Sequence, residues 1–185
     1  EIYKGMKLID EKLGGTTPLE VILKFSKKKE LKADQEDDFE DWGEDEEKNN
    51  DKYWFTKDKI DKIANVHNYL DSLPQVGKVL SFSSIIDVAT LLNNNKPLGT
   101  LEMGVLYSKI PESIKIEIID PYISIKDNEA RINLRIIDSQ ENLRRNELIK
   151  KIKYDLKNKL NLKEDEYKLA GVLILFNNLL QSLFK

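Results

Sequence analysis

An α+β fold is what the sequence predicts, and three observations carry that reading. Apolar residues alternate along several short segments: Leu19, Val21, Leu23 and Phe25 in one, Ile132, Leu134 and Ile136 in another. That period of two marks a strand with one buried face. Elsewhere apolar residues recur every three or four positions, as in Ile60, Ile63, His67 and Leu70, or in Leu148, Ile149, Ile152, Leu156 and Leu160. That is the stripe of a helix lying on a core. The two kinds of segment interleave along the chain, and turn-forming residues separate them.

Taken in order, Ile2, Met6, Ile9 and Leu13 share one helix face, and Gly14-Gly15 follows as a C-cap and turn. Pro18 to Ser26 reads as the first strand, and Lys27 to Asp51 as a charged loop. Tyr53-Trp54-Phe55 precedes Thr56, a candidate N-cap, and a helix then runs to the residue before Pro74. Val76 to Phe82 is a second strand. Ser84-Ile85-Ile86-Asp87 has capping-box spacing and opens a short helix through Leu92. Asn93 to Pro97 is a turn, and Leu98 to Ser108 another short helix. Ile114, Ile116 and Ile118 alternate like a strand, but Pro111-Glu112 at the start favours a helix. Tyr122 to Lys126 and Ala130 to Ile137 form a hairpin about Asp127-Asn128-Glu129. A long helix starts near Gln140, Glu166 to Gly171 is a last short strand, and an apolar helix ends the chain.

The order reduces to strand, helix, strand, helical insertion, hairpin, helix, strand. Two β-α-β units in tandem make the ferredoxin-like plan, with one hairpin strand extra at an edge. The segments divide into a helix at 1–16, a first unit at 17–83 with an acidic loop at 27–52, an insertion at 84–120, a second unit at 121–171 and the apolar helix at 172–185.

The 185 residues suffice for one domain with a sizeable core. The net charge of −3 argues against nucleic-acid binding, which needs a positive field. Asp34 to Asp51 holds eleven acidic residues and one Lys, so the rest of the chain is net basic. No cysteine is present, which excludes disulfides, Cys-ligated zinc and thiol catalysis without choosing a compartment.

No residue pattern assembles a reactive centre. His67, the only histidine, falls on an apolar stripe without a Cys, Asp or Ser partner beside it in sequence. The acidic run lacks the Asp-x-Asp-x-Asp-Gly order and the bidentate Glu of a calcium loop, and reads as a solvated loop. Gly14-Gly15-Thr16-Thr17 precedes a strand, whereas phosphate loops follow one and open a helix. Arg144-Arg145 and Lys150-Lys151-Lys153 have acidic neighbours and read as a solvated helix face. Ser83 and Ser139 have no base in the pattern around them. The expectation is a protein that is not an enzyme, with no catalytic residue, metal or cofactor. One apolar stripe in the insertion stands out: Leu91, Leu92, Leu98, Met103, Val105, Leu106 and Tyr107. It suits either a lipid-lined groove or a packing surface toward a partner.

The last ten residues show neither a Gly cap nor a Pro stop, and Glu1 is not an initiator Met, so both ends read as cuts within a longer protein. The apolar run at 172–185 is itself too short to span a bilayer, which takes about 20 residues.

Four passages, in order and spacing, resemble the first periplasmic domain of resistance-nodulation-division exporters of the MMPL type. Ile9-Asp10-Glu11-Lys12-Leu13-Gly14-Gly15-Thr16 followed by Leu19-Glu20-Val21 is similar to the family's entry into its first porter strand. Leu73-Pro74-Gln75-Val76-Gly77-Lys78-Val79 followed by Ser81 resembles the family's passage of a gap before a strand and then Ser, and Asp127 to Asp138 resembles its hairpin. Tyr167-Lys168-Leu169-Ala170-Gly171-Val172 resembles the approach to the second membrane helix, with Ala170 where the family more usually has Thr. The resemblance implies a domain of an inner-membrane, proton-driven secondary transporter with two related halves, exporting a hydrophobic or lipid-like substrate. Its partners would be the second periplasmic domain and the transmembrane helices, which hold the family's proton-relay residues. Oligomerisation of the parent is left open. The alternative is a stand-alone ferredoxin-like regulatory or ligand-binding domain.

Overall fold

The computed structural model describes residues 1–26 and 54–183, so the acidic loop lies outside the described residues. The chain forms α1 (Ile2–Lys12), β1 (Thr17–Lys24), α2 (Lys57–Asp71), β2 (Val76–Leu80), α3 (Phe82–Leu92) and α4 (Thr100–Lys109). It continues as α5 (Glu112–Ile114), a π-helical turn (Lys115–Ile119), β3 (Ile123–Ser124), β4 (Glu129–Ile136), α6 (Arg145–Asn158), β5 (Tyr167–Ala170) and α7 (Val172–Leu183).

The strands form one antiparallel sheet in the order β2-β4-β1-β5. β1 and β2 both run antiparallel to β4 and are therefore parallel to each other, with β4 between them. This is the ferredoxin-like plan, and the fold is α+β. β1 pairs along all of β4, while β2 lies opposite Asn133 to Ile136 and β3 opposite Glu129 and Ala130. β3 is thus the extra strand, sharing the free edge of β4 with β2.

Strand alternation decides what the sheet buries. Leu19, Val21 and Leu23 of β1 lie in register with Leu134, Ile132 and Ala130 of β4, and all six are buried. Ile63, Val66 and Leu70 of α2 and Ile149, Ile152 and Leu156 of α6 complete the same core. The opposite face is polar apart from Ile22: Glu20, Ile22 and Lys24 lie beside Asn133, Arg131 and Glu129, with ion pairs Lys24–Glu129 at 3.5 Å and Arg131–Glu20 at 3.8 Å.

A clasp joins the points where the chain leaves β1 and re-enters before α2. The Phe25 and Trp54 rings meet edge to face at 5.8 Å. Trp54 Nε1 donates to Asn128 Oδ1 at 2.9 Å, and Asn128 Nδ2 donates to the Phe25 carbonyl at 2.7 Å. Lys59 Nζ also donates to Asn128 Oδ1, at 2.8 Å, and lies 4.5 Å over the Trp54 ring. Burial lowers the Lys59 ammonium's affinity for its proton.

The structure corrects the reading of several boundaries. α3 starts at Phe82, with Ser81 as its N-cap rather than Ser84. The segment with Ile114, Ile116 and Ile118 is helical, but its last turn is a π-helix. The long helix begins at Arg145, not near Gln140, because Asp138 takes hold of the Arg145 guanidinium through two hydrogen bonds and holds the intervening loop. Thr56 occupies the N-cap of α2 without a side-chain bond to it. The apolar stripe of α1 forms its helix, yet Ile2, Met6, Ile9 and Leu13 are all exposed.

Candidate functional site

The helical insertion between β2 and β3 is anchored where β2 ends. Ser81 is fully buried with an extended backbone, and its Oγ accepts from the Ser83 N–H at 3.1 Å. Ser84 Oγ accepts in return from the Ser81 N–H at 3.3 Å, closing a reciprocal cap. Nδ1 of His67, on α2, lies 2.9 Å from Ser81 Oγ. This serine and histidine are not poised for nucleophilic attack. The hydroxyl is sealed from solvent and already committed to the helix cap. His67 therefore has a partner that its sequence neighbours could not show, since Ser81 lies fourteen residues on.

Beyond the cap, α3, α4 and the π-helical turn close over the Phe55 side of the core. The Phe55 ring lies 5.5 Å from Phe82 and 5.1 Å from Tyr107, and Lys115 Nζ stands 4.5 Å over the Tyr107 ring. Between these elements is an apolar cavity of ≈40 Å³. Ligand pockets typically measure about 300–1,000 Å³, so this space is the size of a packing gap rather than of a bound lipid.

The stripe singled out in the sequence divides between two environments. Leu98, Met103, Leu106 and Tyr107 meet at the cavity, together with Phe55, Phe82 and Ile119, and Met103 is only 8% exposed. Leu91 and Leu92 are 66% and 80% exposed, Val105 is also open, and Leu106 is exposed as well as reaching the cavity. The cavity-lining Phe55 and Phe82 lie outside that stripe. Phe82 closes a predicted strand and Phe55 precedes a cap, so neither belongs to a helical stripe.

A second, polar depression of ≈610 Å³ lies at the start of α6, lined among others by Gln75, Gln140, Leu143, Arg144, Glu147 and Lys151. Arg144 and Glu147 pair within it at 2.9 Å, and both are exposed. Gln140 Nε2 donates to the Pro74 carbonyl at 2.8 Å. Ser139 offers its backbone N–H to the Asp10 carboxylate, which its hydroxyl also neighbours without an aligned hydrogen bond. Among the described residues no three His, Cys, Asp or Glu side chains cluster as metal ligands would.

These features define a ferredoxin-like α+β domain that carries an apolar helical insertion and two helices with uncovered apolar sides. Compared with protein-family models, with curated proteins and with solved structures, the chain finds no match.

Proposed function

We propose that this chain is a periplasmic domain of a proton-driven inner-membrane exporter of hydrophobic or lipid-like substrates, of the resistance-nodulation-division class and MMPL type. One observation carries the reading. α1 enters the sheet through β1 and α7 leaves it through β5, and the start of β1 and the end of β5 lie at the same end of the sheet, where Glu20 faces Ala170. Both helices leave apolar side chains uncovered: Ile2, Met6 and Ile9 on α1, and Leu175, Phe176 and Leu179 on α7. Two such helices at one end of a stiff sheet suit a domain held at two points by an apolar structure. No helix among the described residues is long and apolar enough to cross a membrane, so in this reading the crossing segments lie beyond the domain.

Mechanically, the sheet and its two core helices act as one body. Rocking of the membrane helices would tilt that body through α1 and α7 and change the clefts it forms with the second periplasmic domain. The exposed Leu91, Leu92 and Val105 supply apolar surface for that contact. A free-standing ligand-binding module would leave the faces of α1 and α7 uncovered.

The test uses the full-length transporter in proteoliposomes with an imposed proton gradient and a fluorescent lipid as cargo. Flexible linkers of equal length replacing residues 1–13 and 172–185 are expected to abolish gradient-driven export. Export at the parent rate would refute the coupling. A coding sequence without apolar segments of about 20 residues flanking the domain would refute the membrane assignment itself.

A further inference from the structure

α1 has eleven residues, and only one of them, Asp10, is buried, at 3% exposure. A buried carboxylate is costly unless its oxygens are hydrogen-bonded. Both oxygens of Asp10 are. Oδ1 accepts from the Thr16 hydroxyl at 2.5 Å, just before β1, and Oδ2 accepts from the Ser139 N–H at 2.8 Å, in the loop between β4 and α6. The Asp10 carbonyl accepts from the Gly15 N–H at 2.7 Å, closing the turn out of the helix. The same loop reaches α6 through the pairing of Asp138 with Arg145, and α6 packs against α7. One carboxylate thus stands between a largely exposed helix and a bonded route to the other helix at that end of the sheet.

We propose that Asp10 is a positioning residue: the joint that sets the direction of α1 on the sheet and ties it to the β4–α6 loop. A short helix with so little buried surface has no strong packing to hold its angle. Two charge-assisted hydrogen bonds converging from separate segments do so, and being directional they define one orientation. The purpose given to the joint rests on the exporter reading, in which α1 transmits motion to the domain. The joint itself is a property of this domain and is tested without transport.

The chain has no cysteine, so pairs of spin labels can be placed freely. With labels at Lys4→Cys on α1 and Lys150→Cys on α6, the 185-residue chain should give a narrow inter-label distance distribution by pulsed electron resonance. In Asp10→Ala that distribution should widen at least twofold. Thr16→Val, which keeps the Ser139 contact, should widen it less. A second pair within the body, Lys126→Cys with Lys150→Cys, should not change. A distribution in Asp10→Ala as narrow as the parent's overturns the joint. Equal broadening of both pairs overturns it too, since Asp10 would then support the whole fold. Failure of the linker transport test alongside the expected label distances would leave the joint standing and remove only the exporter reading.

Discussion

Tyr69 on α2 donates its hydroxyl hydrogen to Oδ2 of Asp155 on α6 at 2.8 Å, so the two core helices are tied by a polar bond beside their apolar contact. Asp155 is buried, and Lys159, one turn further along α6, lies 3.0 Å from Oδ1. Burial works to raise the carboxyl's proton affinity, but the hydrogen bonds from Tyr69 and Lys159 and the charges of Lys159 and Lys151 outweigh it and hold Asp155 below the ordinary carboxylate range. Tyr69 is pushed the other way, by burial and by its hydrogen bond to the negative Asp155.

This pair predicts a pH dependence on both flanks. The folded value of Asp155 is depressed, so its stabilisation is complete above the unfolded value, about pH 3.9, and is lost as pH falls through the folded value. Asp155→Asn should cost about 1–3 kcal/mol at pH 7, and the gap to the parent should close below about pH 4. Tyr69 is raised in the folded state, so its contribution holds below about pH 10 and is lost at higher pH, a loss absent from Tyr69→Phe. Urea denaturation between pH 2 and 11 reads both. A gap between parent and Asp155→Asn that is constant with pH would remove the assignment.

How much of this was legible in sequence varies by residue. Leu19, Val21 and Leu23 alternate without interruption, and strand periodicity needs only a local pattern, so β1 and its buried face could be read directly. The same holds for Ile149, Ile152 and Leu156 on α6. Stripes say less about what covers them. Ile2, Met6, Ile9 and Leu13 form a valid helix face that the fold leaves exposed, because the core is already filled by α2 and α6. The joint at Asp10 has no such signature, because its partner Ser139 lies 129 residues away and no local pattern carries such a contact.

The N-cap of α3 departs from the spacing in the sequence for a definable reason. Ser84-x-x-Asp87 has the better side chain for reaching back, but Ser81 is where β2 ends and the backbone is still extended. Ser81→Ala should therefore cost about 1 kcal/mol in thermal or urea unfolding. Ser84→Ala, which removes only the longer 3.3 Å bond, should cost less. Equal losses, or a larger one from Ser84→Ala, would return the cap to Ser84.

Met103 and Leu92 belong to the same stripe in sequence and to opposite environments in the fold. Met103→Ala would enlarge the cavity beside Phe55 and Tyr107 and should cost about 2–3 kcal/mol. Leu92→Ser removes an exposed side chain and should change stability by no more than about 0.5 kcal/mol. If the two losses were alike, the insertion would not be packed as described. In the exporter reading the ranking reverses for transport, since Leu92 offers contact surface and Met103 does not.

Glycine-to-alanine substitution should have opposite signs at Gly77 and Gly5. A Cβ on Gly77 would lie 2.2 Å from the Gly14 carbonyl oxygen and 2.3 Å from its carbon, both backbone atoms that cannot swing aside. Gly14 is itself fixed by the turn out of α1, at φ +68°. Gly77→Ala must therefore push β2 and that turn apart, at about 1–3 kcal/mol for overpacking. Gly5 lies inside α1 with nothing within 4 Å of the added methyl, so Gly5→Ala should stabilise the helix by about 0.5–1 kcal/mol. Unfolding midpoints give both signs. The labels at Lys4→Cys and Lys150→Cys supply an independent check: Gly77→Ala should shift the mean distance, because the displaced turn carries α1 with it, whereas Asp10→Ala should widen the distribution. A destabilised Gly77→Ala with an unmoved α1 would mean that β2 alone yields, and that the close approach of Gly14 and Gly77 does not set where the helix stands.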